Sequence, residues 1–126
     1  MSQDVVDDAL NMIRNAKRAG KSTVKLNRIS NLLVEILKIM KRYEAVKKYK
    51  IDSKEKSIEV TIGELMDCGA IKPRFNVNVS QIEKYKRRYL PARGIGIVLV
   101  STNGGLLTHE EAMEEKKGGA LIAYFY

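Results

Sequence analysis

Asn11, Arg14, Asn15 and Arg18 recur at the i, i+3, i+4, i+7 spacing of a single helix face, which sets two amides beside two guanidinium groups. Lys21, just beyond them, adds a cation. A second group is Ser101, Thr102, Asn103, Gly104 and Gly105, where small hydroxyls and an amide stand next to glycines that let a backbone approach closely. A third is cationic: residues 72–93 hold Lys72, Arg74, Lys84, Lys86, Arg87, Arg88 and Arg93 against Glu83 alone, with Tyr85 and Tyr89 interleaved. The positive field is local, because residues 101–126 carry two lysines against four glutamates. All three groups offer hydrogen bonds and charge rather than bond making. A cationic patch attracts polyanions and gains affinity by releasing their counterions. Arginine forks match phosphates, ring faces stack or pack beneath them, and hydroxyls with glycines suit the wide minor groove and 2′-hydroxyls of an RNA helix.

The residues that catalysis would need are scattered. His109 is the only histidine and follows Thr108, a helix-capping position, so it is expected to pack or cap at a helix start. Cys68 has no companion thiol and is expected to be a small half-buried residue, as a lone cysteine in a reducing compartment would be. Gly20, Lys21, Ser22 and Thr23 imitate the end of a phosphate-binding loop. The glycine that loop needs five places earlier is Asn15 here, and a helix precedes where a strand should. Glu110, Glu111, Glu114 and Glu115 are expected to be a solvated helix face. No catalytic group, metal site, cofactor or small-molecule substrate is implied. A small nucleotide- or RNA-processing enzyme and a basic module for acidic proteins or anionic membranes are the competing classes.

Positioning these groups requires helices and strands. The spacing predicts a helix over Val5–Arg18, with Val6, Ala9, Leu10, Ile13 and Ala16 inward and Gly20 as its stop. Thr23–Leu26 is a short strand. A second helix, about Ile29–Tyr43, carries the stripe Ile29, Leu32, Leu33, Ile36, Leu37, Met40 and Tyr43, capped by Asn27 or Ser30. The period then falls to two, predicting a hairpin that turns at Asp52–Lys56, with Tyr49 and Ile51 on one strand and Ile58, Val60 and Ile62 on the other. Ser80 with Glu83 forms a capping-box pattern for a short helix whose Ile82, Tyr85 and Tyr89 face inward. Ile95–Val100 is wholly apolar, hence a strand covered on both faces. Thr108 with Glu111 starts a last helix, and Leu121–Tyr126 closes the chain as a strand.

The 126 residues and net charge of +8 describe a basic, soluble unit long enough to bury roughly two-thirds of its unfolded surface. No run reaches the ~18 apolar residues of a membrane span. Asp4, Asp7 and Asp8 stand where a secretory leader would be basic. The expected class is α+β in two small subdomains: residues 1–66, a helix-strand-helix-hairpin, and residues 67–126, mixed strands with short helices and the main RNA-contacting loop.

Several motifs together carry a family resemblance. They are Asp8, Ala9, Leu10, Asn11, Ile13 and Asn15; Cys68, Gly69 and Ile71; Pro73 to Val77; Ile82 to Lys84; Leu90 to Arg93; Ser101 and Thr102; His109 to Ala112; and Tyr126. In this order the chain resembles small-subunit ribosomal protein eight in its archaeal and eukaryotic branch. It departs where Asn103 replaces a hydroxyl, where Ala120 replaces a bacterial glutamate, and in Tyr43–Val46, which lacks the glycine that often ends the second helix. The resemblance implies a cytoplasmic, ribosome-bound, non-enzymatic protein. Its partners would be small-subunit ribosomal RNA, whose central domain it helps organise, and neighbouring small-subunit ribosomal proteins, with no membrane. Ser101 and Thr102 would meet the RNA minor groove, and Asn11, Arg14 and Asn15 would add backbone contacts. Both patches are expected to serve one RNA-docking side.

Overall fold

A computed structural model describes residues 5–72, 74–91 and 95–126. The fold is α+β, and the chain divides into two compact units, Met1–Gly69 and Ala70–Tyr126.

The first unit opens with α1 (Val5–Arg18), whose buried stripe is the one the spacing predicts, with Asp7 and Asp8 in its first turn and Lys17 and Arg18 in its last. Gly20 ends it as a left-handed residue at φ 78. The Gly20 N–H donates to the Lys17 carbonyl at 3.1 Å and the Lys21 N–H to that of Ala16 at 2.9 Å, the paired bonds of a Schellman stop. After β1 (Thr23–Leu26), Ser30 caps α2 (Asn31–Arg42) by accepting the Leu33 N–H at 3.1 Å. This helix is shorter than its apolar pattern. Ile29 precedes the cap and Tyr43 follows the last turn, so both leave the buried stripe and are exposed.

Two strands follow, β2 (Val46–Asp52) and β3 (Ser57–Ile62), and the sheet order is β1-β3-β2, antiparallel throughout. In register, Leu26 pairs with Ile58 and Ile58 with Ile51; Val24 pairs with Val60 and Val60 with Tyr49. Leu26, Ile58 and Val60 are buried together with Leu10, Ile13, Leu33, Ile36, Leu37 and Met40. Each fully buried Leu or Ile contributes about 1.5–3 kcal/mol relative to exposure. The α2–β2 turn lacks a glycine, and Glu44 takes the left-handed conformation in its place at φ 66. Its carbonyl is held against Gly63, where a Cβ would overlap it, so the glycine this turn requires lies across from it.

The second unit is built on one sheet. Its strands are β4 (Cys68–Ala70), within which the unit boundary falls, β5 (Asn76–Val77), β6 (Ile97–Thr102), β7 (Gly105–Thr108) and β8 (Gly119–Phe125). The order is β4-β8-β6-β7, with β5 also on β8. Ile97 to Val100 are all buried, as a run covered on both faces must be; Ile95, expected to begin that strand, lies outside it and is exposed. Two helices accompany the sheet, α3 (Val79–Tyr89) and α4 (His109–Glu114). One core cluster contains Ile71, Val77, Ile82, Leu90, Val98, Val100, Ala112 and Leu121, with Tyr85 and Tyr89 packed against it.

Two expectations are corrected here. The capping box of α3 is Asn78 with Gln81 rather than Ser80 with Glu83. Its start is fixed by β5, which ends at Val77 where that residue pairs with Gly119, and the Ser80 hydroxyl donates to Asn78 Oδ1 at 2.6 Å. Cys68 is wholly buried, not half-buried, and its thiol donates to the Leu10 carbonyl at 3.4 Å. The segment after Thr102 turns back as β7. The Thr108–Glu111 capping box of α4 is present as expected.

Candidate nucleic-acid interface

In the first unit Asn11 and Asn15 are exposed one helical turn apart, flanking Met12. Asn11, Met12 and Asn15 line a groove with Leu26, Asn27 and Arg28. On the other side of the Met12–Asn15 ridge a second groove is lined by Ala16, Lys21, Thr23, Val24 and Lys25. The Schellman stop is what returns Lys21 to this side. Arg18 is exposed on the helix but lines neither groove.

Arg14 has a different setting. Its Nε lies 2.8 Å from Asp67 Oδ1 and donates to the Cys68 carbonyl at 2.8 Å. Both side chains of the ion pair are about three-quarters buried, at 25% and 23% exposure. The guanidinium therefore ties α1 to the end of its own unit, and Asn11 and Asn15 present the outward polar groups of that face.

In the second unit the sequence-predicted loop is the tip of the β6–β7 hairpin. Thr102 Oγ1 accepts the Gly104 N–H at 3.1 Å and donates to the Gly105 carbonyl at 2.8 Å, so its hydroxyl builds the turn. Ser101 pairs with Leu106 on one side and Ala120 on the other, and Ala120 pairs with Asn76. The result is a row, Asn76–Ala120–Ser101–Leu106, across four strands at one end of the sheet. Asn78, the cap of α3, stands beside it: a Cβ on Gly118 would come within 2.9 Å of Asn78 Cα.

Lys117 completes this end. The chain leaves α4 through Lys116 at φ 57, and the Lys117 N–H donates to the Ala112 carbonyl at 2.9 Å. That turn lays the ammonium of Lys117 against Gly104 while it pairs with Glu115 at 3.3 Å. Sequence reasoning missed Lys117 because it belongs to a segment of net negative charge. It also missed β7, although Asn103–Gly104 between two apolar runs is a strong hairpin signal.

The cationic cluster of residues 72–93 is not all at this place. Lys84, Arg87 and Arg88 are exposed on α3, and the Arg88 guanidinium lies over the Tyr85 ring at 4.8 Å, which in turn meets Phe75 edge-on at 4.8 Å. Arg87 stands nine residues beyond the Asn78 cap, roughly 14 Å along the helix, so these arginines form a separate patch. Lys86 is mostly covered and pairs with Glu83 at 3.1 Å. Lys72 and Arg74 are exposed in the link between β4 and β5, and Arg93 lies outside the described residues.

The groups weighed for catalysis are used in packing. His109 is buried, its Nδ1 accepts the Val98 N–H at 3.2 Å, and burial, followed by the Lys86 charge, holds its pKa below the usual value. Burial pushes the Cys68 thiol up to about 12. Gly20 to Thr23 run from a helix stop into a strand, the reverse of a phosphate-binding loop. Among the described residues no three His, Cys, Asp or Glu side chains are grouped to hold a metal ion, and no helix is long and apolar enough to cross a membrane.

The family model described as ribosomal protein S8 matches residues 4–126. The chain is 43% identical to a Nanoarchaeum equitans protein named small ribosomal subunit protein uS8, over 129 residues and the full length of both chains. Proteins of the same name from Picrophilus torridus and Archaeoglobus fulgidus are 40% and 36% identical, again over the full length of both.

Proposed function

The chain belongs to the ribosomal protein S8 family, and on that premise we propose that it is a structural constituent of the small ribosomal subunit that binds small-subunit ribosomal RNA directly. It organises the central domain of that RNA during assembly, in the cytoplasm, next to other small-subunit proteins. The observation that carries the RNA-binding reading is the end of the second unit, where the Asn76–Ala120–Ser101–Leu106 row, the hairpin tip and Lys117 converge.

That end suits an RNA minor groove. Ser101 and Asn103 offer a hydroxyl and an amide to 2′-hydroxyls and base edges, Gly104 and Gly105 let the turn backbone come close, and Lys117 supplies charge for a phosphate. The Asn11–Asn15 ridge, with Lys21 and Arg18, grips the RNA backbone from the first unit. Lys72, Arg74, Arg87, Arg88 and Arg93 add phosphate contacts that give affinity without reading sequence. Arg14 acts by positioning α1. Selectivity comes from the hairpin tip and affinity from the cations.

Titration of the full chain with a central-domain ribosomal RNA fragment tests this. Binding that weakens about a hundredfold or more between 50 and 200 mM salt, and that exceeds binding to an arbitrary duplex, is the expected result. A flat salt response, or equal affinity for both RNAs, would refute it.

A further inference from the structure

The densest run of cations in the first unit is outside the surfaces described so far. Residues 38–56 hold eight lysines and arginines against Glu44, Asp52 and Glu55. Lys38, Lys41 and Arg42 lie on α2, and the other five on β2 or in the turn after it, β2 being one of the two edge strands of the β1-β3-β2 sheet. Lys41 and Lys47 lie at one end, Lys48 and Lys50 along the strand, and Lys54 and Lys56 in the turn at the far end. All six are exposed. A seven-residue strand is roughly 20 Å long, and alternate residues on it are roughly 7 Å apart, so the cations form a linear ridge.

Local structure accounts for only part of it. Lys41 and Arg42 sit in the last turn of α2, where the helix dipole favours cations, and they lie over the Tyr49 and Tyr43 rings at 5.9 and 5.5 Å. Lys47 is the extra residue of a bulge, since Val46 pairs with Ile62 and Lys48 with the adjacent Thr61. Lys48 continues a solvent-facing row through Thr61 to Thr23, and Lys50 one through Glu59 to Lys25. Lys25 is paired with Glu55 at 2.6 Å; among the described residues no carboxylate is within ion-pair distance of Lys47, Lys48 or Lys50. A groove beside the ridge is charge-balanced, with Lys41 and Lys47 facing Glu44 and Glu64, so the unbalanced charge lies on the strand itself. Lysines on an edge strand discourage pairing with another chain. That role needs one or two charges, and it accounts for neither the length of the ridge nor the cations in the turn.

From this juxtaposition we infer that β2 and the β2–β3 turn hold a second RNA backbone, distinct from the one gripped by α1. The inference rests on the RNA-binding reading above. The Asn15–Lys25 groove follows β1, at the opposite edge of the sheet, two strand spacings or roughly 10 Å away. A single unit thus offers one cationic surface at each edge and can brace two RNA segments against each other.

The test compares the full chain with the variant K47Q/K48Q/K50Q. Each protein is first saturated with an immobilised central-domain ribosomal RNA fragment and then offered a labelled, arbitrary 20-base-pair RNA duplex. The expected result is at least about a tenfold loss of duplex retention in the variant, with less than a threefold change in binding the immobilised RNA, and recovery of retention in K47R/K48R/K50R. Unchanged retention would overturn the inference, leaving the lysines as edge guards. So would equal loss of both RNAs, or retention of poly-glutamate as strongly as the duplex. If the wild-type chain does not bind the immobilised fragment, it is the RNA-binding reading that fails, and duplex titration of free wild type against variant then decides the ridge alone.

Discussion

The ammonium of Lys117 rests against Gly104, so close that a Cβ on the glycine would come within 2.7 Å of Nζ. Twelve residues, comprising β7, α4 and the turn after it, separate the two in sequence, and the Ala112 carbonyl that accepts the Lys117 N–H brings them together. Lys117→Gln should therefore weaken RNA binding while leaving the melting temperature within experimental error. One lost phosphate contact lowers the salt dependence, the slope of log K against log salt, by about 0.9. Affinities at three salt concentrations check this; an unchanged slope would mean that Lys117 serves only Glu115.

Ser101 and Thr102 should part company under mutation. The Thr102 hydroxyl both donates and accepts within the turn, so Thr102→Ala should cost about 1 kcal/mol of stability, and Thr102→Ser should restore most of it. Ser101→Ala leaves the turn intact and should reduce preference for the central-domain RNA over an arbitrary duplex. Urea denaturation and paired RNA titrations separate the two effects. Equal loss on both RNAs with Ser101→Ala would show that this hydroxyl does not select.

Much of the fold is legible in local periodicity, because burial imposes it: the α1 stripe, the Ile58–Val60–Ile62 alternation and the apolar run before Ser101 all occur as expected. What was hidden depends on partners distant in sequence. Periodicity puts Arg14 on the polar face with Asn11 and Asn15, but says nothing of Asp67 and Cys68, which take its guanidinium. Ser80 and Asn78 both fit a capping box, and the choice between them is made by where Val77 pairs with Gly119. β5 and β7, at two and four residues, are too short for a period to show. For the candidate interface, residue types pointed to Ser101–Gly105, while charge counting passed over Lys117 and the lysines of β2, which the proposals above add.

The Arg14–Asp67 pair should be a stability element. Arg14→Ala removes a largely buried ion pair and leaves the Cys68 carbonyl without this donor, for an expected cost of about 1–3 kcal/mol. Asp67→Ala should cost less on its own, and a double-mutant cycle should show favourable coupling between the two. Additive losses in urea denaturation would mean that the pair is not coupled.

Stability should fall on mild acidification through His109. Burial holds its folded pKa below the unfolded value of 6.5, so the unfolded chain takes up the proton first. The histidine's contribution is fully present above about pH 6.5 and is lost as pH falls toward the folded pKa. Unfolding free energies between pH 5 and 7.5 for wild type and His109→Gln isolate it, because other titrating groups are common to both. The wild type should lose more stability than the variant; parallel curves would contradict the buried, neutral imidazole.

Two glycine substitutions should differ for reasons the geometry makes explicit. At Gly20 a Cβ meets nothing within 4 Å, so Gly20→Ala suffers only the left-handed φ of 78, about 1–2 kcal/mol. At Gly119 a Cβ would overlap the Ser101 carbonyl and lie 2.8 Å from its carbon and 3.2 Å from Thr102 Cα. Those are backbone atoms of the neighbouring strand, and no rotamer change relieves them. Gly119→Ala must push β8 from β6 where the Asn76–Ala120–Ser101–Leu106 row crosses, costing about 3 kcal/mol or more. If that row carries the selective contact, as proposed, preference for the central-domain RNA should drop together with stability, whereas Gly20→Ala should leave the preference intact. Denaturation and RNA titration on the same two variants check the pairing, and a Gly119→Ala protein with wild-type selectivity would dissociate the row from RNA recognition.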